Sequence, residues 1–237
     1  MLSLRVIVLF AVALAGSSLA KEERLPHKIS VGSSMSINCI GTVLSKNTVL
    51  IPASCGVGYS SMEVRVRPTD TPINDSGDMY YINRIVHHPD RDYMDMSKEQ
   101  TIITLDRNID GGKGFKAAKV AKDDVTIPAG AVVTTIRRST NPPPTSYYWA
   151  DLEYYNIKVI DDAKCKELHG DRWSNDFICA SAIDPNADYP NNICQGESGA
   201  PLVWNGQIVG ISTYEFGGYG EGCAYRKIST IRDFIGK

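Results

Sequence analysis

Cys194-Gln-Gly-Glu-Ser-Gly-Ala-Pro201 sets a serine in a turn bracketed by glycines. Such a turn suits a nucleophile whose neighbouring backbone N–H groups must face a developing oxyanion, because glycine lets the main chain approach the substrate closely. The same pattern also occurs in plain turns. Its meaning depends on what surrounds it.

The flanking chain reads as strands. Residues 48–51, 62–67, 101–105, 131–136 and 207–212 are short, β-branched and often alternating, with Gly, Pro, Asn or Asp clusters between them. Many short strands separated in this way predict an all-β barrel or sandwich. The segment 227–235 differs: Ile228, Ile231 and Ile235 recur at helical spacing, and Ser229 lies near its start, so a terminal amphipathic helix is predicted. Residues 121–130, charged and holding Pro128, are the candidate linker between two halves. In 147–149 and 154–155 an aromatic-rich stretch (Tyr147, Tyr148, Trp149, Tyr154, Tyr155) follows Pro142-Pro-Pro144 and reads as strand packing, with a partner surface as the alternative.

At the N-terminus, Arg5 precedes an apolar run over 6–15 and then Gly16-Ser-Ser-Leu-Ala20. This predicts a signal peptide over 1–20 and a secreted product, the run being too short to span a membrane. With 25 Lys+Arg against 27 Asp+Glu the formal charge is −2, which argues against nucleic-acid binding and a polybasic membrane patch. The six cysteines (39, 55, 165, 179, 194 and 223) are an even set in an oxidising compartment, so disulfides are expected among 15 possible pairings. No C-x₂-C pair exists and the four histidines are scattered, so neither a metal nor a cofactor is expected. Asn74-Asp-Ser76 is a glycosylation sequon on a predicted loop.

The serine turn resembles the nucleophile loop of the chymotrypsin/trypsin family of serine proteases. Other stretches match in the family's order. Cys39-Ile-Gly-Thr-Val-Leu-Ser and Val49-Leu-Ile-Pro-Ala-Ser-Cys55 resemble the paired-cysteine segment that carries the catalytic histidine. Arg84-Ile-Val-His-His-Pro-Asp90, Gly210-Ile-Ser-Thr-Tyr214 and the C-terminal run from Tyr225 match further segments. The resemblance implies two packed six-stranded antiparallel β-barrels with a C-terminal helix, in one trypsin-like domain over 21–237. The N-terminal barrel would span about 26–121 and the C-terminal barrel about 129–237. It also implies the disulfides Cys39–Cys55, Cys165–Cys179 and Cys194–Cys223.

Carried over by position, Ser198 matches the nucleophile, and the N–H groups of Gly196 and Ser198 match the oxyanion hole. The base should precede Cys55, where the sequence has Ser54, and a hydroxyl cannot accept the Ser198 proton at neutral pH. Glu99 stands at the carboxylate position, or Gln100 if the alignment slips by one. His27, His87, His88 and His169 all fall at positions the likeness places away from Ser198, and read as surface or structural residues. The resemblance implies a pocket formed at Asn192, Thr213, Tyr214 and Glu215. Asn192 puts no charge at the pocket floor, and Glu215 replaces the usual entrance glycine. Only residues 21–25 separate the predicted signal cut from the first matched strand, too few for the family's activation segment, which leaves Glu197 to find another partner.

The chain thus resembles the catalytically inactive, secreted homologs of the family, of insect type. The resemblance implies a binding role toward extracellular proteins, as a cofactor, decoy or regulator in a reproductive or immune secretion, with no nucleic-acid partner. The alternative expectation is a weak or conditional hydrolase using Ser198.

Overall fold

The computed structural model describes residues 28–33, 36–55, 63–67, 78–91, 98–109, 117, 119–122, 124–138, 152–183, 198–213 and 222–236. Strands β1 (Lys28–Ser33), β2 (Ser36–Val43), β3 (Thr48–Pro52), β4 (Glu63–Arg67), β5 (Asp78–His87) and β6 (Gln100–Leu105) close in the order β1-β2-β3-β6-β5-β4. A second barrel closes from β7 (Val132–Arg138), β8 (Leu152–Val159), β9 (Phe177–Ala182), β10 (Pro201–Trp204), β11 (Gln207–Ser212) and β12 (Cys223–Lys227), in the order β10-β11-β12-β9-β8-β7. The expected pair of six-stranded antiparallel barrels is what the chain forms.

Alternation along each strand decides which way it faces. Ile103 and Leu105 of β6 belong to the first barrel's core, with Ile51 of β3. One residue before Ile103, Ile102 turns the other way and packs on the second barrel's core, which also holds Leu50. The β3–β6 pair is therefore buried on both faces and joins the two barrels. Two of the implied disulfides are present: Cys39–Cys55 with a Cα separation of 5.6 Å and Cys165–Cys179 at 6.1 Å. Cys223 is also disulfide-bonded, while Cys194, its implied partner, lies outside the described residues.

Three details depart from the sequence reading. The C-terminal run is not one helix: Lys227 ends β12, a 3₁₀ turn covers Ile228–Ile231, and only Arg232–Ile235 is α-helical (α2). Ile228 and Ile231 are both buried, and a three-residue period satisfies that i, i+3 pair as well as an α-helix does. Ser229 does not cap the run; its hydroxyl donates to Asp124 at 3.1 Å. The segment 121–130 is more than a tether, since Ala121 is buried in the second core and its N–H donates to the Ile208 carbonyl at 3.0 Å. Helix α1 (Asp162–His169) was not anticipated, although Asp161 caps it by accepting from the Lys164 N–H at 2.8 Å, and Gly170 follows its end with positive φ. Of the aromatic stretch, Tyr154 packs on a small cluster with Ile40, Ile136, Leu152 and Ala200, and Tyr155 lies under the Arg137 guanidinium at 3.7 Å. Tyr147, Tyr148 and Trp149 lie outside the described residues, as do 1–27 and Asn74.

Candidate functional site

Ser198 opens the turn that enters β10, and it is half-buried. Three backbone contacts fix it. Its carbonyl accepts from the Ile40 N–H of β2 at 2.9 Å, the Gly199 N–H donates to the Ser212 carbonyl at 2.8 Å, and the Ser212 N–H returns to the Ala200 carbonyl at 2.9 Å. The Thr42 hydroxyl adds a bond to the Gly199 carbonyl at 3.2 Å. The Ser198 turn is thereby stitched between a strand of the first barrel and a strand of the second. Gly199 makes the close approach possible, with φ +90° and a space in which a Cβ would meet the Ile40 carbonyl oxygen at 2.0 Å.

Ser54 reaches the same neighbourhood by a different route. It lies in the 3₁₀ turn Ala53–Cys55 after β3, and the Cys39–Cys55 disulfide ties that turn to the residue preceding Ile40. A Cβ at Gly199 would also lie 2.7 Å from Pro52 Cδ, two residues before Ser54. Ser54 itself is exposed. On the turn's inner side the Ala53 N–H donates to the Glu99 carbonyl at 2.5 Å, and Glu99 is only 2% exposed. The Ala53–Cys55 turn that carries Ser54 is thus bonded to Glu99 through its backbone, and the strand leading into it approaches the Ser198 turn at Pro52.

Gln100 begins β6 opposite Pro52 and lies on the same face as Ile102, toward the second barrel. It is 1% exposed, and both its amide nitrogen and oxygen lack a hydrogen-bond partner among the described residues. A buried polar group left unpaired costs about 1–3 kcal/mol. Gln100→Met, which keeps length and shape, is therefore expected to raise unfolding stability by about 1–2 kcal/mol in urea melts; a loss of stability would show that the amide is engaged. Thr213, the described member of the expected pocket set, is likewise buried, and its hydroxyl has no partner among the described residues. Asn192, Gly196, Glu197, Tyr214 and Glu215 lie outside the described residues.

Three histidines can be placed, and each is occupied. His87 ends β5 and its Nδ1 lies 2.8 Å from the Thr101 hydroxyl and 3.3 Å from Arg91; burial, then the Arg91 charge, hold its pKa below the usual value. His88 is buried against Phe234 of α2, with ring centroids 4.8 Å apart. His169 ends α1, stacked on Trp173 at 6.2 Å with Nε2 3.8 Å from the Cys179 sulfur. His27 lies outside the described residues. Thr42 and Ile40, which hold the serine turn in place, carried no signal in the sequence: one is a single hydroxyl within a strand, the other a backbone N–H.

Residues 15–235 match the family model described as Trypsin. The chain belongs to the trypsin family. It is similar to Trypsin alpha of Drosophila melanogaster, 26% identical over 215 residues that cover 90% of this chain and 79% of that protein. It is also 26% identical to an alkaline trypsin B of Manduca sexta, over 81% of this chain and 73% of that protein. Among solved structures it superimposes on neuropsin, a serine protease of mouse brain, with a TM-score of 0.73 at 20% identity, covering 90% and 94% of the two chains. That likeness concerns the fold. Among the described residues of this trypsin-family chain no group of three or more His, Cys, Asp or Glu side chains is arranged to hold a metal ion, and no helix is long and apolar enough to cross a membrane.

Proposed function

We propose that this trypsin-family chain is secreted and acts by binding other extracellular proteins, as a cofactor, decoy or regulator of proteases in a reproductive or immune secretion, without cutting them. One observation carries the reading. The residue before Cys55, where the family's base belongs, is Ser54, exposed on its 3₁₀ turn. A serine hydroxyl has a pKa far above 7, so it cannot take the Ser198 proton, and the nucleophile stays unactivated. The placed histidines are engaged by Thr101, Phe234 and Trp173. Asn192 and Glu215, at the pocket floor and entrance by family position, support the same reading.

The test is stoichiometric reaction of the purified protein with a serine-reactive fluorophosphonate. No label at Ser198 is the expected result; one label per chain, lost in Ser198→Ala, overturns it. A pull-down from the native fluid then identifies the partner. The preserved anchoring of the Ser198 turn by Ile40, Thr42 and Ser212 favours a second reading, in which a group from outside the chain activates Ser198 and makes it a conditional hydrolase. In that case labelling appears only when the partner is added.

A further inference from the structure

We propose that His88 is an acid-sensitive latch between the first barrel and the C-terminal helix α2. This goes beyond the binding role and does not depend on it. His88 follows β5 directly and is 9% exposed. Its N–H donates to the Gln100 carbonyl at 2.9 Å, continuing the β5–β6 ladder beyond the His87–Thr101 pair. Cross-strand neighbours share a face, so the imidazole stands on the same side as Gln100, toward the second barrel. There it meets Phe234, with centroids 4.8 Å apart and ring planes at 47°.

The hydrogen bonding sets the protonation state. The Asp90 N–H donates to His88 Nδ1 at 3.1 Å, so Nδ1 presents its lone pair and the single ring proton sits on Nε2. Adding a proton at Nδ1 turns that acceptor into a donor aimed at another donor. The Asp90 N–H then loses its partner, and a charged ring is held against Phe234 away from water.

The charges around the ring oppose protonation as well. Asp90 is engaged by Lys98 at 2.9 Å, so its carboxylate is largely offset where it would help. The Arg226 charge of β12 also acts on the ring; its side chain is buried, with Phe177 4.5 Å from its guanidinium and Asp176 at 3.8 Å. In the same turn Arg91 contacts His87. On α2, Arg232 donates to the Ala121 carbonyl, and Asp233 is exposed. Burial first, then Lys98 and Arg226, push the His88 pKa below its usual 6.5, with only Asp90 acting in the other direction.

A folded-state pKa below the free value means that the undocked form binds protons more readily. The contact is therefore intact above about pH 6.5 and weakens as pH falls below it. Ile228 and Ile231 stay in the second core, each 1% exposed, while Phe234 and Ile235 are only partly buried. Acid thus frees α2 and leaves the preceding 3₁₀ turn in place.

NMR on the full chain tests this by following the His88 ring, the Phe234 ring and the α2 backbone amides through a pH titration, with hydrogen exchange corrected for intrinsic rates. The expected result is one common midpoint below about 6.5, with protection in residues 232–235 lost by up to about tenfold per pH unit between pH 6.5 and that midpoint and levelling off below it. His88→Asn keeps an acceptor at the Nδ1 position but cannot be protonated, and should abolish the acid response; His87→Asn should leave it. The latch is overturned if α2 protection does not change with acid, if the His88 and Phe234 midpoints differ, or if His88→Asn loosens at the same pH as the unaltered chain. Should His88→Asn fail to fold, coincidence of the two midpoints in the unaltered chain decides the matter.

Discussion

Gly199→Ala is expected to destabilise the fold by about 4 kcal/mol or more, or to prevent folding outright. Two independent causes act at this one position. Its φ of +90° is a conformation that a Cβ makes unfavourable, and the added carbon would lie 2.0 Å from the Ile40 carbonyl oxygen and 2.7 Å from Pro52 Cδ. The first of those contacts is backbone, so no rotamer change relieves it. The turn cannot simply back away, because the Ser198 carbonyl, the Gly199 N–H and the Gly199 carbonyl are all bonded, to Ile40, Ser212 and Thr42 respectively. Each of those bonds spans a boundary between the turn and a barrel strand, so displacing the turn breaks the junction between the barrels. Urea denaturation gives the measurement, and a midpoint shift worth less than about 1.5 kcal/mol would show that the junction yields easily. Gly130→Ala is the control: its φ is +85°, but a Cβ would meet nothing within 4 Å, so only the conformational cost remains, about 1 kcal/mol.

What the sequence disclosed and what it withheld follow from the range of each interaction. Strand β11 and its bounds were readable because Ile208, Val209 and Ile211 make Gln207–Ser212 rich in β-branched residues, set off by Asn205-Gly206. The closure of the barrels was legible only through resemblance, since pairing β1 with β4 depends on contacts between distant segments that no local pattern encodes. Misreading Lys227 as helical has a local cause: the apolar spacing of Ile228, Ile231 and Ile235 fits a helix, but Lys227 pairs with Gly210, and its N–H donates to the Asp176 carbonyl at 2.7 Å. A tertiary ladder won over the local period. At the candidate site the identities of Ser54, Glu99 and Ser198 were visible, whereas what anchors the Ser198 turn between the barrels was not. That anchoring depends on a disulfide, on one backbone bond from Ile40, and on a glycine small enough to let two barrels touch. His88 was read only as surface or structural. Its latch geometry needs Phe234, 146 residues further along the chain.

Peptide hydrolysis by the purified full chain is expected to fall about 10⁶-fold short of a serine hydrolase with an intact triad, and Ser198→Ala is expected to leave the residual rate unchanged. The triad works as a unit: the nucleophile gains from a base that takes its proton during attack, and the carboxylate matters only through that base. Removing the base alone therefore costs nearly as much as removing all three groups. Whatever remains comes from binding and from oxyanion stabilisation, and neither needs the Ser198 hydroxyl. That is why the Ser198→Ala comparison is more decisive than the absolute rate, which trace contamination by an active protease would raise. The burial of Glu99 does not alter this, because with Ser54 in the base's family position its carboxylate has no imidazole to orient. A measurable rate that Ser198→Ala removes would mean that a proton acceptor reaches Ser198 from elsewhere. If that rate appeared only with a partner present, it would favour conditional hydrolysis; if it appeared in the purified chain alone, the non-catalytic proposal would be wrong.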